Sequence, residues 1–303
     1  MIGKVSGINI GNYLNSTENE KLKIGLVIPI YNVESTIFKV LVSVASTLNQ
    51  ACFDVLIIDN GSSDKTISIV QGYLQENPRF AGHVTLIQNK NNYGYGCSIK
   101  SGFEYFSTKT VSHVMIIHGD HQVAPAWLME RLIGTVKSKP DTDFVLASRF
   151  KPESIIENYS ILRRLGNYFF NAMTTFCSGY RMSDSGTAMI IVRNKIINNV
   201  PFRNLSNSWQ FHPQLNILLH GIPDIQIEEI PMDWADSEAD STVPLFLYGL
   251  ILLKMLVAYW FKKNVLHKLP QDTFPHDPMP KNREFVVSNK FGIGVLPYAE
   301  NIR

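Results

Sequence analysis

The stretch His113-Val-Met-Ile-Ile-His-Gly-Asp-His-Gln-Val-Ala-Pro125 decides how this chain is read. Val114 to Ile117 is a short apolar run of the kind that makes a buried strand. It stops at once in His118, Gly119, Asp120, His121 and Gln122. Gly119 permits a tight turn, and Pro125 suits the first position of a following helix. Two imidazoles, a carboxylate and an amide therefore project from the carboxyl end of one strand. Ligands gather at that edge in open α/β sheets. A carboxylate oxygen and an imidazole nitrogen can bind a divalent cation, with phosphate oxygens completing its shell. A polar turn without a ligand is the plain alternative.

Working outward, the same strand-then-loop unit recurs. Leu22 to Ile30 reads as a buried strand that should end at Pro29, which cannot donate to a ladder. Tyr31 to Ser35 forms its turn, and Ile37, Val40, Leu41, Val44 and Leu48 give helical spacing over about Glu34 to Asn49. A second strand, Phe53 to Ile58, runs into Asp59-Asn60-Gly61-Ser62-Ser63-Asp64, with a helix to about Glu76. A strand at Val84 to Gln88 precedes Asn91-Asn92-Tyr93-Gly94-Tyr95-Gly96 and a helix to about Phe106. After the central stretch come a helix from Pro125 to Ser138 and a strand from Phe144 to Ser148. This alternation predicts an α/β fold, a mostly parallel central sheet with helices on both faces. The loops at Tyr31, Asp59 and His118 should then converge on one edge as a single site.

The second half is less regular. Ser160 to Ser178 is apolar-rich with Arg163 and Arg164 near its start, and Asp184-Ser185-Gly186-Thr187 precedes a short strand, Ala188 to Val192. A helix near Trp209 to Leu219 and a strand near Ile225 to Ile230 follow. Trp209, Phe211 and His212 suit helix packing better than an acceptor wall, because large aromatics usually fill cores. Pro244 to Phe261 is the most apolar segment. It is slightly short for a bilayer span, and Lys254 in its middle would be costly in lipid. Tyr259, Trp260, Lys262 and Lys263 suit a headgroup region, so the segment reads as a helix lying on a membrane face, with a core helix as the rival reading. The expected organisation is a loose arm over 1–21, a catalytic domain over 22–242, the apolar helix over 243–263 and an irregular tail over 264–303.

At 303 residues, 45% hydrophobic and 18% charged, the chain is an ordinary folded protein. A net charge of +2 gives no field that argues for a nucleic-acid partner. Three scattered cysteines, Cys52, Cys97 and Cys177, suit a reducing compartment, and no apolar leader is visible near Met1.

Val-Ile-Pro-Ile-Tyr-Asn at 27–32, Ile-Ile-Asp-Asn-Gly-Ser-Ser-Asp-Lys-Thr at 57–66, Asn-Tyr-Gly-Tyr-Gly at 92–96 and His-Gly-Asp-His-Gln at 118–122 stand in this order at strand ends. Together they resemble the family 2 glycosyltransferases of the GT-A fold, and most the dolichol- or polyprenyl-phosphate sugar transferase branch. Ser148-Arg149-Phe150 resembles a further element of that branch. The resemblance implies an inverting, metal-dependent hexosyltransferase. It would move a sugar from a UDP- or GDP-sugar to a membrane-associated acceptor on the cytoplasmic face, in cell-surface glycan synthesis. It places Pro29, Tyr31 and Glu34 against the nucleoside, Asp59 at the base, and Gly94 where the chain passes the donor. Asp120 and Gln122 match the end of the family's metal motif, with Mn²⁺ or Mg²⁺ as cofactor, and Asp184 is a candidate base or acceptor contact. Arg149 is a candidate for donor binding and also, with Arg163, Arg164 and Arg181, for an acceptor phosphate.

Three departures stand out. His118 occupies the place of an Asp, so it either ligates metal as a softer donor, favouring Mn²⁺, or does not ligate at all. Gly186 is followed by Thr187, Ala188 and Met189 rather than by an aromatic and an Arg, which leaves Arg181 to supply a phosphate contact. Glu238 to Thr242 lacks the branch's basic residue. The last two favour a hydroxyl of a lipid-linked glycan as an alternative acceptor. Two other functions remain as rivals. One is a degenerate transferase serving as a nucleotide-binding scaffold. The other is a sugar-phosphate nucleotidyltransferase, against which the Pro-Ile-Tyr-Asn loop argues.

Overall fold

The protein is described here from a computed structural model covering residues 22–48, 51–236, 245–289 and 292–295. The predicted arm, most of the loop leading to Thr242, Pro244 and the last residues of the chain lie outside that description. The first half alternates as expected: β1 (Lys23–Ile30), α1 (Ile37–Ser46), β2 (Cys52–Asp59), α2 (Thr66–Glu76), the single turn α3 (Pro78–Ala81), β3 (Val84–Asn89), α4 (Tyr95–Ser107), β4 (His113–Ile116), α5 (Pro125–Ser138) and β5 (Phe144–Ser148). The second half contains β6 (Ile156–Glu157), α6 (Ile161–Ser178), β7 (Ile190–Arg193), α7 (Asn194–Asn199), α8 (Phe211–His220), β8 (Ile227–Pro231), β9 (Trp234–Ala235), α9 (Leu245–Asn264), α10 (Pro270–Thr273), β10 (Phe285–Asn289) and β11 (Gly292–Val295).

The main sheet has the order β11-β10-β3-β2-β1-β4-β7-β5-β8. β3, β2, β1 and β4 pair in parallel, and so do β5 and β8, while β7 and β10 run against their neighbours. Both faces are covered, which is why β1 is an unbroken apolar run rather than an alternating one. Val27, Leu56 and Ile58 meet Phe103, Phe106 and Phe211 on one face. Leu26, Ile28 and Ile57 meet Val40, Leu41, Leu128 and Leu132 on the other. β1 runs one residue past Pro29, whose missing N–H leaves the register Pro29 to Ile58 intact.

Two expectations need correction. The tail is not irregular throughout: Phe285–Asn289 pairs antiparallel with β3, and Gly292–Val295 pairs with β10. A five-residue strand amid Pro, Asn and Lys is too short to stand out by pattern. The second correction concerns α9, which is only half a surface helix. Leu252, Leu256 and Tyr259 are buried and Tyr259 stacks on Phe274 at 5.2 Å. Lys262 Nζ donates to the Thr273 carbonyl, and Lys263 Nζ to the Ser178 carbonyl at the end of α6. Tyr259 and both lysines, expected at a headgroup layer, are therefore occupied within the protein. The other side of α9 keeps Phe246, Leu247, Leu250, Val257 and Phe261 exposed, and the neighbouring α6 exposes Ile161, Leu162, Leu165, Phe169 and Phe176. No described helix is long and apolar enough to cross a membrane.

His113 opens β4 almost fully buried, and burial, with Arg193 and Lys195 nearby, pushes its pKa down from 6.5 to about 3. The folded protein therefore refuses a proton that the unfolded chain takes up below pH 6.5. Its contribution to stability is complete above pH 6.5 and is lost as pH falls towards 3, by up to about 1.4 kcal/mol per pH unit. Urea midpoints at pH 7 and pH 5 should show this drop, and His113→Leu should reduce it; an unchanged slope would assign the acid loss to other groups.

Candidate active site

The carboxyl ends of β1, β2 and β4 meet, and their loops are laced by hydrogen bonds. Asn32, held at φ 49°, accepts from Ser63 N at 2.9 Å, and its own N–H donates to Ser62 Oγ at 2.9 Å. Glu34 accepts from Lys65 N at 2.8 Å, while its N–H donates to Asp64 at 3.1 Å. Thr36 Oγ1 donates to the Gly119 carbonyl at 2.9 Å, tying the first loop to the third. Glu34 is thus an exposed clasp between loops, and Pro29 lies buried behind the half-buried Tyr31.

Asp59 sits at the floor, 2% exposed, accepting from Gly61 N at 3.3 Å and Ser62 N at 3.2 Å. Burial lifts its carboxyl above the ordinary range, against the pull of those loop donors. The neighbouring Asn60 donates to Asn92 Oδ1 at 2.7 Å and accepts from Tyr93 N at 3.1 Å, so the β2 loop also shapes the glycine turn. Gly94 has φ 94°, and a Cβ there would collide with the Asn207 carbonyl. Its freedom serves a close approach to the segment before α8.

Asp120 is partly exposed on the β4 loop. Its Oδ1 accepts from Gln122 N at 3.3 Å and its Oδ2 lies 3.9 Å from His118 Nδ1. The Gln122 carbonyl accepts from Ala235 N at 2.9 Å, which joins this loop to β9. Behind it lies a chain that sequence reading missed: Tyr95 Oη is 2.7 Å from both His118 Nε2 and His212 Nε2. Burial lowers the pKa of both imidazoles; at His118 the Asp120 carboxylate opposes it and Arg149 adds to it, and at His212 the neighbouring His118 adds to it. His212 is accordingly more than a packing residue. Its separation from Tyr95 by over a hundred residues hid the link.

Arg149 and Asp184 form one ion pair, with Nε to Oδ2 and Nη2 to Oδ1 both at 2.8 Å. The carboxylate is fully buried and also accepts from Arg149 N at 3.2 Å. Burial pulls the guanidinium pKa down, and the adjoining carboxylate more than reverses that, so the pKa stands above its ordinary value. Its guanidinium also lies 5.0 Å from the Trp234 ring. Asp184 reaches this edge because β7 is antiparallel: the loop before it falls beside the carboxyl ends of β4 and β5. Next to the pair is a cavity of ≈ 530 Å³ lined by Phe150, Lys151, Tyr168, Arg181, Ser183 and Glu229. Arg181 is therefore at the site, whereas Arg163 is paired with Asp236 at 2.6 Å, and neither it nor Arg164 lines the cavity.

Among the described residues no three His, Cys, Asp or Glu side chains cluster to hold an ion by themselves. One carboxylate at a partly open loop still fits a cation that takes most of its ligands from substrate phosphates and water, as Mg²⁺ commonly does.

The sheet order and this edge define a GT-A nucleotide-sugar transferase fold. Mannosyl-3-phosphoglycerate synthase from Rubrobacter xylanophilus matches it with TM-score 0.53 at 15% identity, covering 92% of this chain and 87% of that one. Glucosyl-3-phosphoglycerate synthase from Mycobacterium tuberculosis, solved in complex with Mn²⁺, UDP and phosphoglyceric acid, matches with TM-score 0.54 at 14% identity, covering 85% and 83%. Residues 26–200 match the family model for glycosyl transferase family 2, and the chain belongs to that family. It is 27% identical over 177 residues to an undecaprenyl-phosphate 4-deoxy-4-formamido-L-arabinose transferase of Photorhabdus laumondii, covering 58% of this chain and 50% of that protein. The chain thus spans about half the length of that curated relative. An uncharacterised protein of Methanocaldococcus jannaschii is 22% identical over 249 residues, covering 80% of this chain and 97% of that one.

Proposed function

We propose that the protein transfers a sugar, with inversion, from a UDP- or GDP-sugar to a prenyl phosphate at a membrane surface. The reading rests above all on one observation: Asp59, Asp120 and the Arg149–Asp184 pair lie along one sheet edge, at the carboxyl ends of β2, β4 and β5, with a cavity bearing Lys151 and Arg181 next to the pair. The nucleoside would lie over the Asp59 loop and Tyr31, and the diphosphate beside Asp120 and Arg149. An oxygen of the acceptor attacks the anomeric carbon as the bond to the diphosphate breaks, and the leaving group departs with that electron pair. A bound Mn²⁺ or Mg²⁺, held by Asp120, would supply Lewis-acid stabilisation of the departing diphosphate. Arg149 supplies a fixed positive charge in a dry setting, and Asp184 holds it in place. An acceptor phosphate is already an anion and needs no strong base, which suits an Asp184 committed to Arg149. Lys151 and Arg181 would bind that phosphate. The names of the undecaprenyl-phosphate relatives support this acceptor class.

The exposed apolar sides of α6 and α9 would lie on the lipid, on the cytoplasmic face. Leu250→Glu together with Leu162→Glu should weaken binding to anionic phospholipid vesicles at least tenfold, since each apolar side chain withdrawn from lipid costs about 1.5–3 kcal/mol. Flotation measures it, with circular dichroism as the check on folding. A wild-type protein that never binds vesicles would remove the membrane assignment.

The deciding experiment is a calorimetric titration with UDP and GDP, each with Mn²⁺, Mg²⁺ or chelator. Metal-dependent binding of one nucleotide is expected. No binding of either would favour a scaffold role.

A further inference from the structure

We propose that Tyr95 and His212 fix the tautomer of His118, so that His118 turns its Nδ1–H, and not a metal-binding lone pair, towards Asp120. The proton arrangement does not depend on the reaction proposed above, although its consequence for the metal does.

A tyrosine hydroxyl has one proton, so Tyr95 donates to one imidazole Nε2 and accepts an N–H from the other. Two arrangements with one proton on each ring satisfy this. In the first, His212 Nε2–H donates to Tyr95, Tyr95 donates to His118 Nε2, and the His118 proton sits on Nδ1, 3.9 Å from Asp120 Oδ2. In the second, every proton is reversed. His118 Nδ1 then aims a lone pair at the Asp120 carboxylate, and His212 must carry a proton on Nδ1.

His212 Nδ1 is buried and meets no hydrogen-bond partner among the described residues. The second arrangement therefore combines an orphaned buried N–H with a lone pair facing an anion. The first leaves only an under-satisfied acceptor, the more tolerated of the two. Both differences favour the first. Tyr95 and His212 are thus positioning residues acting through His118. The proton on Nδ1 closes His118 to metal, so an ion held by Asp120 would take its other ligands as oxygens, and Mg²⁺ would serve as well as Mn²⁺.

The test is a long-range ¹H–¹⁵N correlation spectrum of the imidazoles in the full, unliganded protein. His118 should carry its proton on Nδ1 and His212 on Nε2, and Tyr95→Phe should abolish that fixed pattern. A His118 protonated on Nε2 in the wild type overturns the proposal. A second arm measures Mn²⁺ binding with UDP by electron paramagnetic resonance. His118→Asn, which keeps a donor near Nδ1, should bind Mn²⁺ within about threefold of wild type, and a loss of about tenfold or more would identify the imidazole as a ligand. A wild type that binds no Mn²⁺ with UDP would sink the transfer reading, and the spectrum would still decide the tautomer.

Discussion

Asp120→Ala is expected to lower turnover about a thousandfold, roughly 4 kcal/mol of lost transition-state stabilisation, while the melting temperature stays nearly unchanged. The two effects separate because of where Asp120 lies. Its side chain is 27% exposed on a loop, and its Oδ1 accepts from the N–H of Gln122 two residues on at 3.3 Å. A partly exposed loop side chain of this kind carries little of the fold. The chemistry leans on the carboxylate, because it is the acidic side chain of the loop where the departing diphosphate would gain negative charge. Single turnover at saturating donor and Mn²⁺ measures the chemical step, and a thermal melt measures the fold. Full activity in the variant would take Asp120 out of the metal site.

Asp184→Asn should behave in the opposite way. It leaves Arg149 buried without a counter-charge, and removing one partner of such a pair typically costs about 3–5 kcal/mol. A fall in melting temperature of several degrees is expected, and activity should fall with it. The double replacement Arg149→Met with Asp184→Leu should recover most of the stability, because neither charge is then left alone, yet it should not recover transfer. If Asp184 were instead a general base, Asp184→Asn would keep its melting temperature and lose turnover alone. The two readings therefore differ in which measurement moves.

The parallel half of the fold was legible because each strand there is an apolar run closed by a polar turn, and the loops at Tyr31, Asp59 and His118 do converge. Pairings made across the chain were not legible. Arg149 and Asp184 each stood out, but as separate groups with separate tasks, because an antiparallel β7 was not visible in so short a run. Tyr95 looked like a spacer between two glycines, and His212 like one more ring in an aromatic helix. Their meeting depends on Gly94 and Gly96 letting the turn press against Ser206 and Asn207, a tertiary contact with no local signature. Glu34 shows the reverse case. Its position matched a family motif, while its carboxylate is engaged in holding Lys65.

The hairpin of β10 and β11 also governs how this protein would behave in a crowded solution. Without it, β3 would offer a row of unpaired N–H and C=O groups along one edge of the sheet, a ready template for another chain. A version cut before Phe285 would therefore be prone to self-association at its sheet edge even with every catalytic group in place. Its aggregation would say nothing about the site.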